Sequence, residues 1–163
     1  MPKPYKFCPF DGQPLTETVH GHPACKCGFV HWDNPVPVVA VLAPMNGGIV
    51  AVQRKLEPFA GGWCLPCGFV DSHEDPSVAA VREIKEEAGL DVEPISILRV
   101  VTTPGNQTIL FFLTKIVGGE LLAGDDATVA RTFQFSEIPQ LCFPLHNEVV
   151  REFIRTSNKE RLK

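Results

Sequence analysis

Hydrophobic and polar positions follow two different periods along this chain. Short apolar runs rich in β-branched residues predict five strands, at 36–43, 49–54, 92–101, 108–117 and 129–135. Turn residues at 44–48 and 102–107 predict that the first two strands form one hairpin and the next two another. Helical periodicity predicts helices at 76–88 and 146–156. Strands interleaved with helices indicate an α/β protein.

The first predicted helix has clear start and stop signals. Asp75 is a good N-cap, Pro76 suits the first helical position, and Gly89 stands where a helix stop is expected. On a 3.6-residue period one face of this helix is apolar, and we expect that face to pack against a core. It consists of Val78, Val81, Ile84 and Ala88.

A second face of the same helix is acidic. Glu83, Glu86 and Glu87 are separated by three and four positions, and Arg82 is placed to contact Glu86. A charge run of this kind is usually a solvated surface with partial compensation by the arginine. A cluster of oxygen ligands also suits Mg²⁺ or Mn²⁺. Gly68 and Glu74 precede the helix at a fixed spacing that a solvated face does not need, which favours the metal hypothesis.

Composition and charge restrict the function classes. The chain has 163 residues, of which 44% are hydrophobic, enough for one core and a small appendage. Its net charge is −4 and it has no basic run, so we expect no nucleic-acid partner. No apolar run approaches membrane-spanning length, and the first residues show no signal core. The expected location is the cytoplasm, where six cysteines indicate reduced thiols or a metal site.

Residues 1–34 differ in composition and pattern from the rest of the chain. They contain three cysteines arranged like two knuckles of a zinc ribbon, at 7–12 and 24–28. The first knuckle has Asp11 in its second ligand position, and the second knuckle is one residue short. Structural Zn²⁺ could be held by Cys8, Cys25 and Cys27 with either His22 or Asp11. The alternative is a degenerate ribbon that keeps its fold by packing alone.

The segment from Gly68 to Leu90 matches the pattern G-x5-E-x7-R-E-U-x-E-E-x-G-U, where U is aliphatic. This stretch resembles the Nudix box, and further similarity extends over nearly the whole chain, including 34–42, 65–66 and 137–139. The resemblance implies the Nudix fold, a mixed β-sheet between α-helices. It also implies a small zinc-ribbon-like β segment at residues 1–34, before a hydrolase domain at residues 35–160.

The resemblance implies a metal-dependent hydrolase that cleaves a pyrophosphate linkage in a nucleoside diphosphate derivative. Glu83, Glu86 and Glu87, helped by the backbone carbonyl of Gly68, would bind Mg²⁺ or Mn²⁺. Arg82 would hold these carboxylates in place, and Glu74 would orient the network. The general base is either Glu83 or a residue of a later loop, for which the candidates are Asp125 and Asp126.

The substrate follows less directly from the sequence. Candidate binding residues are Arg54 for a phosphate, Trp63 and Phe69 for stacking on a base, and Pro104. In relatives that cleave ADP-ribose, a proline often follows the box at a spacing close to that of Pro104. We therefore expect ADP-ribose or another ADP-sugar as substrate, with NAD(H) and damaged nucleotides as alternatives. A non-catalytic nucleotide sensor is a further alternative, and a homodimer is an open possibility.

One departure from the family pattern lies next to the chemistry. The family usually has Leu-Pro-Gly-Gly before the box, whereas this chain has Leu65-Pro66-Cys67-Gly68. If position 67 requires a positive φ, cysteine is strained there. The thiol is either a small residue that fits, or a group that makes activity sensitive to oxidation.

Overall fold

A computed structural model describes residues 5–124 and 126–160, without the side chains of 158–160. It contains two helices, α1 (Pro76–Ala88) and α2 (Pro144–Glu160), and ten strands within that range. The strands are β1 (Glu17–Val19), β2 (His22–Ala24), β3 (Val36–Leu42), β4 (Pro44–Met45), β5 (Gly48–Arg54), β6 (Trp63–Cys64), β7 (Cys67–Phe69), β8 (Leu90–Thr102), β9 (Gln107–Gly119) and β10 (Ala127–Gln134).

One of the two four-stranded sheets is mixed, which confirms the predicted fold class. Its strand order is β7-β3-β9-β8. Strand β3 runs parallel to β9 and antiparallel to β7. Strands β8 and β9 form the predicted hairpin, in which Thr102 pairs with Thr108, and both strands are longer than the sequence predicted.

The predicted hairpin between 36–43 and 49–54 is wrong for most of its length. Only β4 and the first residues of β5 pair in this way, through Pro44 with Ile49 and Met45 with Gly48. Strand β5 pairs instead with β10 and β6 in a second, antiparallel sheet. Pro44 has no N–H to donate, so the chain leaves the ladder of β3 at this point and enters the other sheet.

The core lies on both faces of β3, because alternate side chains of a strand point in opposite directions. Val39 and Val41 belong to a cluster that includes Ala80 and Ile84 of α1. On the other side, the side chains of β3 pack in a cluster with α2 residues, and this cluster contains Ala40, Leu42, Phe111, Val149 and Val150. The mixed sheet is therefore covered by one helix on each face.

Helix α1 begins and ends where the sequence predicted. Asp75 caps its first turn by accepting the backbone N–H of Ser77 at 2.8 Å. Gly89 ends it with φ of 70°, and its N–H donates to the carbonyl of Lys85. Its predicted apolar face is only partly correct, because Val78 is 55% exposed. The buried apolar positions are Ala79, Ala80, Ile84 and Ala88, and the small alanine side chains let the helix approach the sheet closely.

The N-terminal part of the described chain has its own two-stranded sheet. Strands β1 and β2 pair antiparallel, and isolated bridges join Phe7 to Pro14 and Ala24 to Val30. Within residues 5–124 and 126–160, no helix has both the length and the apolar character needed to span a membrane.

Candidate active site

The acidic face of α1 borders a cavity of about 690 Å³. Glu83, Glu86 and Glu87 all line it. Glu83 and Glu87 are only 9% and 8% exposed, whereas Glu86 extends toward solvent. The solvated-surface interpretation therefore fails for two of the three carboxylates, because burial of a charged group is unfavourable unless it is paired or binds a metal.

Arg82 joins the carboxylates into one network. Its Nε and Nη2 donate to both oxygens of Glu74 at 2.9 and 2.8 Å. Its Nη1 donates to Glu83 at 2.7 Å and to Glu86 at 3.2 Å. The carbonyl of Phe69 accepts a further bond from Nη2. A guanidinium supplies donors in a fixed plane, so this arrangement sets the orientation of the carboxylates as well as compensating their charge.

Glu74 fixes the other end of this network. The hydrogen bonds from Arg82, with a second from the backbone N–H of Asp71, lower the pKa of Glu74 to about 2. Glu74 is therefore ionised at neutral pH and stays paired with Arg82. Through Arg82, Glu74 is joined to Glu83 and Glu86 in one network.

The pKa values of the buried carboxylates move in the opposite direction. Burial raises the pKa of Glu87 to about 8, although its Oε2 accepts the backbone N–H of Cys67 at 2.9 Å. Burial also raises the pKa of Glu83, against the opposing effect of Arg82. Two buried carboxylates that resist ionisation next to one another are a donor set that a cation would stabilise.

Gly68 in β7 lies directly against Glu83. A β-carbon at position 68 would overlap the carboxylate group of Glu83. The backbone of β7 can therefore approach the acidic face of α1 only because residue 68 has no side chain. Hard oxygen ligands from three glutamates and a neighbouring backbone fit Mg²⁺ or Mn²⁺.

A second loop reaches the same carboxylates. Gly124 donates its N–H to the carbonyl of Glu87 at 3.2 Å, and a β-carbon on Gly124 would overlap the carbonyl oxygen of Glu86. Asp126 is exposed and lines a cavity together with Glu83, Glu86 and Glu87. Asp125, the other predicted base candidate, lies outside the described residues.

The predicted substrate-binding residues divide into two pairs. Arg54 and Phe69 line the main cavity. The described residues that line this cavity do not include Trp63 or Pro104. Trp63 instead packs edge-on against Phe133, with ring centroids 4.7 Å apart. Pro104 is exposed in the turn between β8 and β9, and Thr103 before it and Gln107 at the start of β9 line the cavity.

Two cavity residues near the start of α2 were not predicted from the sequence. Phe143 lies under the guanidinium of Arg54, whose central carbon is 5.2 Å from the ring centroid. His146 follows three residues later, and the two rings are 5.0 Å apart. One sequence signal could have found them. Pro144 begins the helix, and residues three apart, such as Phe143 and His146, lie on the same side of a first helical turn.

Cys67 is not strained in the way that the sequence suggested. It lies in the extended backbone of β7, opposite Ala40 of β3. Its side chain is half-buried and packs against both core clusters. A positive φ is therefore not required at this position, and cysteine fits as a small strand residue.

A separate group of ligand atoms lies in the N-terminal segment. The side-chain ligand atoms of Cys8, Asp11, Cys25 and Cys27 all lie within 4.8 Å of one another. The sulfurs of Cys8 and Cys27 are 3.5 Å apart, and Cys25 Sγ donates to Asp11 at 3.4 Å. Asp11, and not His22, completes the group. The ring of His22 packs instead against Trp32 at 5.1 Å.

Comparison with known proteins identifies the family. The NUDIX domain model matches residues 33–156, so the chain belongs to the Nudix family and is an enzyme that acts on pyrophosphate bonds. The chain is 38% identical over 129 residues to an ADP-ribose pyrophosphatase of Methanocaldococcus jannaschii, an alignment that covers 75% of this chain and 76% of the relative.

Two further comparisons concern the substrate and the fold. An 8-oxo-dGDP phosphatase of Mus musculus is 31% identical over 66% of this chain, which spans only 33% of that longer relative. The crystal structure of a NUDIX hydrolase from Nitrosomonas europaea superposes with a TM-score of 0.85 and 26% identity. That superposition covers 93% of this chain and 91% of the other.

Proposed function

We propose that this Nudix enzyme hydrolyses ADP-ribose or a related ADP-sugar. The observation that carries the proposal is the set of buried carboxylates of α1 at the wall of a cavity large enough for a nucleotide. The similarity to an ADP-ribose pyrophosphatase over three quarters of both chains supports the choice of substrate. The products would be AMP and ribose 5-phosphate, released when water breaks one P–O bond of the pyrophosphate.

Glu83, Glu86 and Glu87, with the carbonyl of Gly68, would bind Mg²⁺ or Mn²⁺. When bound there, a divalent ion would polarise the pyrophosphate and would neutralise the charge that develops on its oxygens. Arg82 holds Glu83 and Glu86 close to one another, because its Nη1 donates to both carboxylates. Glu74 holds Arg82 by two hydrogen bonds, so it acts through the arginine and needs no contact with substrate.

Asp126 is our first choice for the general base, ahead of Glu83 and Asp125. Its position at the mouth of the carboxylate cluster supports this choice, since a base must reach the proton of the attacking water. Glu83 is less suitable because it already accepts a hydrogen bond from Arg82. Asp126→Asn should lower kcat at least about 100-fold and leave KM nearly unchanged. Unchanged kcat would transfer the role to Glu83 or Asp125.

Arg54, Phe69 and Phe143 are the proposed contacts for the rest of the substrate. Phe69 is 56% exposed at the cavity wall, where its ring is available for stacking on a base. Arg54 lines the same cavity and lies over Phe143. A phosphate bound beside the carboxylates of α1 would be paired by Arg54.

An 8-oxo-dGDP-like damaged nucleotide is the second candidate, because one relative carries that activity in its name. NAD(H) is a third candidate.

A substrate panel, measured with Mg²⁺ and with Mn²⁺, separates these candidates. It contains ADP-ribose, UDP-glucose, NADH and 8-oxo-dGDP, and the products are resolved by chromatography. The proposal predicts the highest kcat/KM for ADP-ribose. A preference for 8-oxo-dGDP or NADH of tenfold or more would overturn it. Tight binding of ADP-ribose without turnover would favour a sensor, against which the intact carboxylate set argues.

We also propose that Cys8, Asp11, Cys25 and Cys27 bind structural Zn²⁺. Tetrahedral coordination with Zn–S bonds of about 2.3 Å separates two sulfurs by roughly 3.8 Å, close to the 3.5 Å between Cys8 and Cys27. Elemental analysis should find about one zinc per chain in wild type and in His22→Ala, but not in Asp11→Ala. Less than about 0.2 zinc per wild-type chain would contradict the proposal, because structural sites hold the metal tightly.

The remaining expectations concern organisation and location. We propose residues 1–34 as a small unit separate from the hydrolase domain at 35–160.

We propose a homodimer through β8, which lies at the edge of the mixed sheet and exposes Ile95, Ile97 and Val100. Light scattering of wild type and Ile97→Lys would test it. A cytoplasmic location is supported by six cysteines that form no disulfide within the described residues.

A further inference from the structure

His146 is a buried polar residue at the cavity that the proposed reaction does not yet use. It lies in the first turn of α2 and is only 3% exposed. Its ring packs against Phe111 and Phe143, with centroid distances of 5.4 and 5.0 Å. A core residue with these neighbours would ordinarily be apolar, so the presence of an imidazole here calls for a chemical reason.

The hydrogen bonding of His146 fixes the position of its proton. Its Nδ1 accepts the backbone N–H of Leu65 at 3.2 Å. An imidazole nitrogen that accepts a hydrogen bond carries no proton, so the proton is on Nε2. Burial, with the nearby charge of Arg54, lowers the pKa of His146 to about 3. The ring is therefore neutral throughout the working pH range and presents one N–H donor.

The Nε2–H group faces the cavity. Within the described residues, every fully buried side-chain nitrogen or oxygen has a hydrogen-bond partner. The hydrogen bond of His146 uses Nδ1 and leaves Nε2 without a protein partner, so Nε2 must reach accessible space. The accessible space beside His146 is the cavity, which this residue lines together with Arg54 and the carboxylates.

The neighbours of this donor indicate what it binds. Arg54 lines the same wall, and its guanidinium is also a donor without acceptor capacity. Burial is the main cause of the raised pKa of Glu87, and Arg54 opposes that rise. The guanidinium is thus within electrostatic reach of both Glu87 and His146. A wall made of donors, next to a ligand carboxylate for the metal, suits an anionic oxygen.

We propose that His146 is a substrate-binding residue whose Nε2–H donates to a phosphoryl oxygen, beside Arg54. This inference deepens the proposed function, on which it rests for the presence of a phosphorylated substrate. The bond between Leu65 and Nδ1 gives His146 its directional role, because it holds the ring in one orientation. The same bond ties α2 to the loop that leads into β7, where Gly68 and Cys67 contact the carboxylates.

Two substitutions separate substrate binding from structural support. His146→Asn places an amide oxygen near the position of Nδ1, so it keeps the acceptor for Leu65 and removes the donor to the cavity. His146→Gln places its amide nitrogen near the position of Nε2, so it keeps the donor and removes the acceptor. The measurements are KM, kcat and the melting temperature Tm of each variant, and the Kd of ADP with Mg²⁺ by calorimetry.

The proposal predicts opposite results for the two variants. His146→Asn should keep Tm near that of wild type, raise KM about tenfold and weaken ADP binding to a similar extent, the effect of one hydrogen bond to a charged group. His146→Gln should lower Tm and keep KM within about threefold. KM unchanged in His146→Asn, or raised only in His146→Gln, would overturn the proposal. If His146→Gln does not fold, His146→Asn alone decides. If His146→Asn does not fold, a raised KM in His146→Gln overturns the proposal.

The test remains distinct from that of the proposed function. KM is measured with whichever substrate of the panel wild type cleaves fastest, so failure of ADP-ribose as substrate does not affect the comparison. ADP binding requires no turnover and provides a readout even if wild type cleaves none of the panel. Equal ADP affinity in wild type and His146→Asn would contradict the inference about His146 and would leave the metal-dependent hydrolysis untouched.

Discussion

Gly68 and Glu83 are in such close contact that no side chain fits between them. A β-carbon on Gly68 would overlap the carboxylate group of Glu83, which is held on its other side by Arg82 at 2.7 Å. This contact joins β7 to α1 at the acidic face of the helix. The glycine is therefore a requirement of the site geometry, in addition to any demand of the backbone itself.

Gly68→Ala should lower kcat at least about tenfold, because the added methyl group pushes the Glu83 carboxylate away from its position. The matched control is Gly118→Ala in β9, where a β-carbon meets only ordinary contacts with Asp91, the nearest at 3.4 Å. Steady-state kinetics with Mg²⁺ and circular dichroism check the outcome. Normal kcat in a folded Gly68→Ala variant would contradict the tight Gly68–Glu83 contact.

Arg82→Lys should lower kcat about tenfold to 100-fold, although the positive charge is kept. Lysine cannot make the planar pair of bonds to Glu74 while also contacting Glu83 and Glu86. The control is Arg99→Lys, which alters an exposed pair with Glu148 far from the carboxylates in sequence. Kinetics of both variants provide the test, and similar losses in the two would show that the geometry of Arg82 is unimportant.

Mg²⁺ should raise Tm more at pH 8 than at pH 6. The pKa of Glu87 rises from 4.5 to about 8 in the folded, metal-free protein, so Glu87 contributes stability below pH 4.5 that is lost as the pH rises toward 8. At pH 6 Glu87 is mostly protonated, so the metal must displace a proton to bind. At pH 8 a much smaller fraction of Glu87 is protonated, so binding costs less. Thermal melts with EDTA and with Mg²⁺ measure the difference, which Glu87→Gln should largely abolish.

Glu74 should make the stability of the protein depend on pH in the opposite direction from Glu87. The pKa of Glu74 falls from 4.5 to about 2 on folding, so its pairing with Arg82 stabilises the protein above pH 4.5 and this contribution is lost as the pH falls toward 2. Glu74→Gln should reduce the steepness of acid unfolding between these values. Urea titrations at several pH values check this expectation, and an unchanged acid profile would exclude Glu74 as a contributor.

The sequence predicted the parts of this molecule that depend on local rules. Capping and periodicity predicted α1 to the residue, and the resemblance to the Nudix box implied which side chains meet around Arg82. Strand pairing was harder, because the pairing of β5 with β10 and β6 depends on contacts between distant segments. The orientation of Val78 was wrong because hydrophobicity favours valine, whereas close helix–sheet packing favours the neighbouring alanines.

The residues that line the cavity outside the Nudix box were also only partly predictable from the sequence. Arg54 and Phe69 were expected there and line it, but Phe143 and His146 come from a helix end whose position over the box loop is set by tertiary packing. Trp63 was chosen for its stacking surface and is used against Phe133 instead. Sequence alone identifies residue types able to bind a nucleotide, and only the fold decides which of them face the cavity.

The most direct test of the account is the turnover of Glu86→Gln. Glu86 lies at the open edge of the carboxylate cluster, with its side chain 59% exposed, so its substitution should leave the fold intact. With Mg²⁺ and the best substrate of the panel, we predict that kcat falls at least about 100-fold, while Glu93→Gln on β8 matches wild type. A folded Glu86→Gln enzyme with kcat within about threefold of wild type would contradict the metal-binding role of this face of α1.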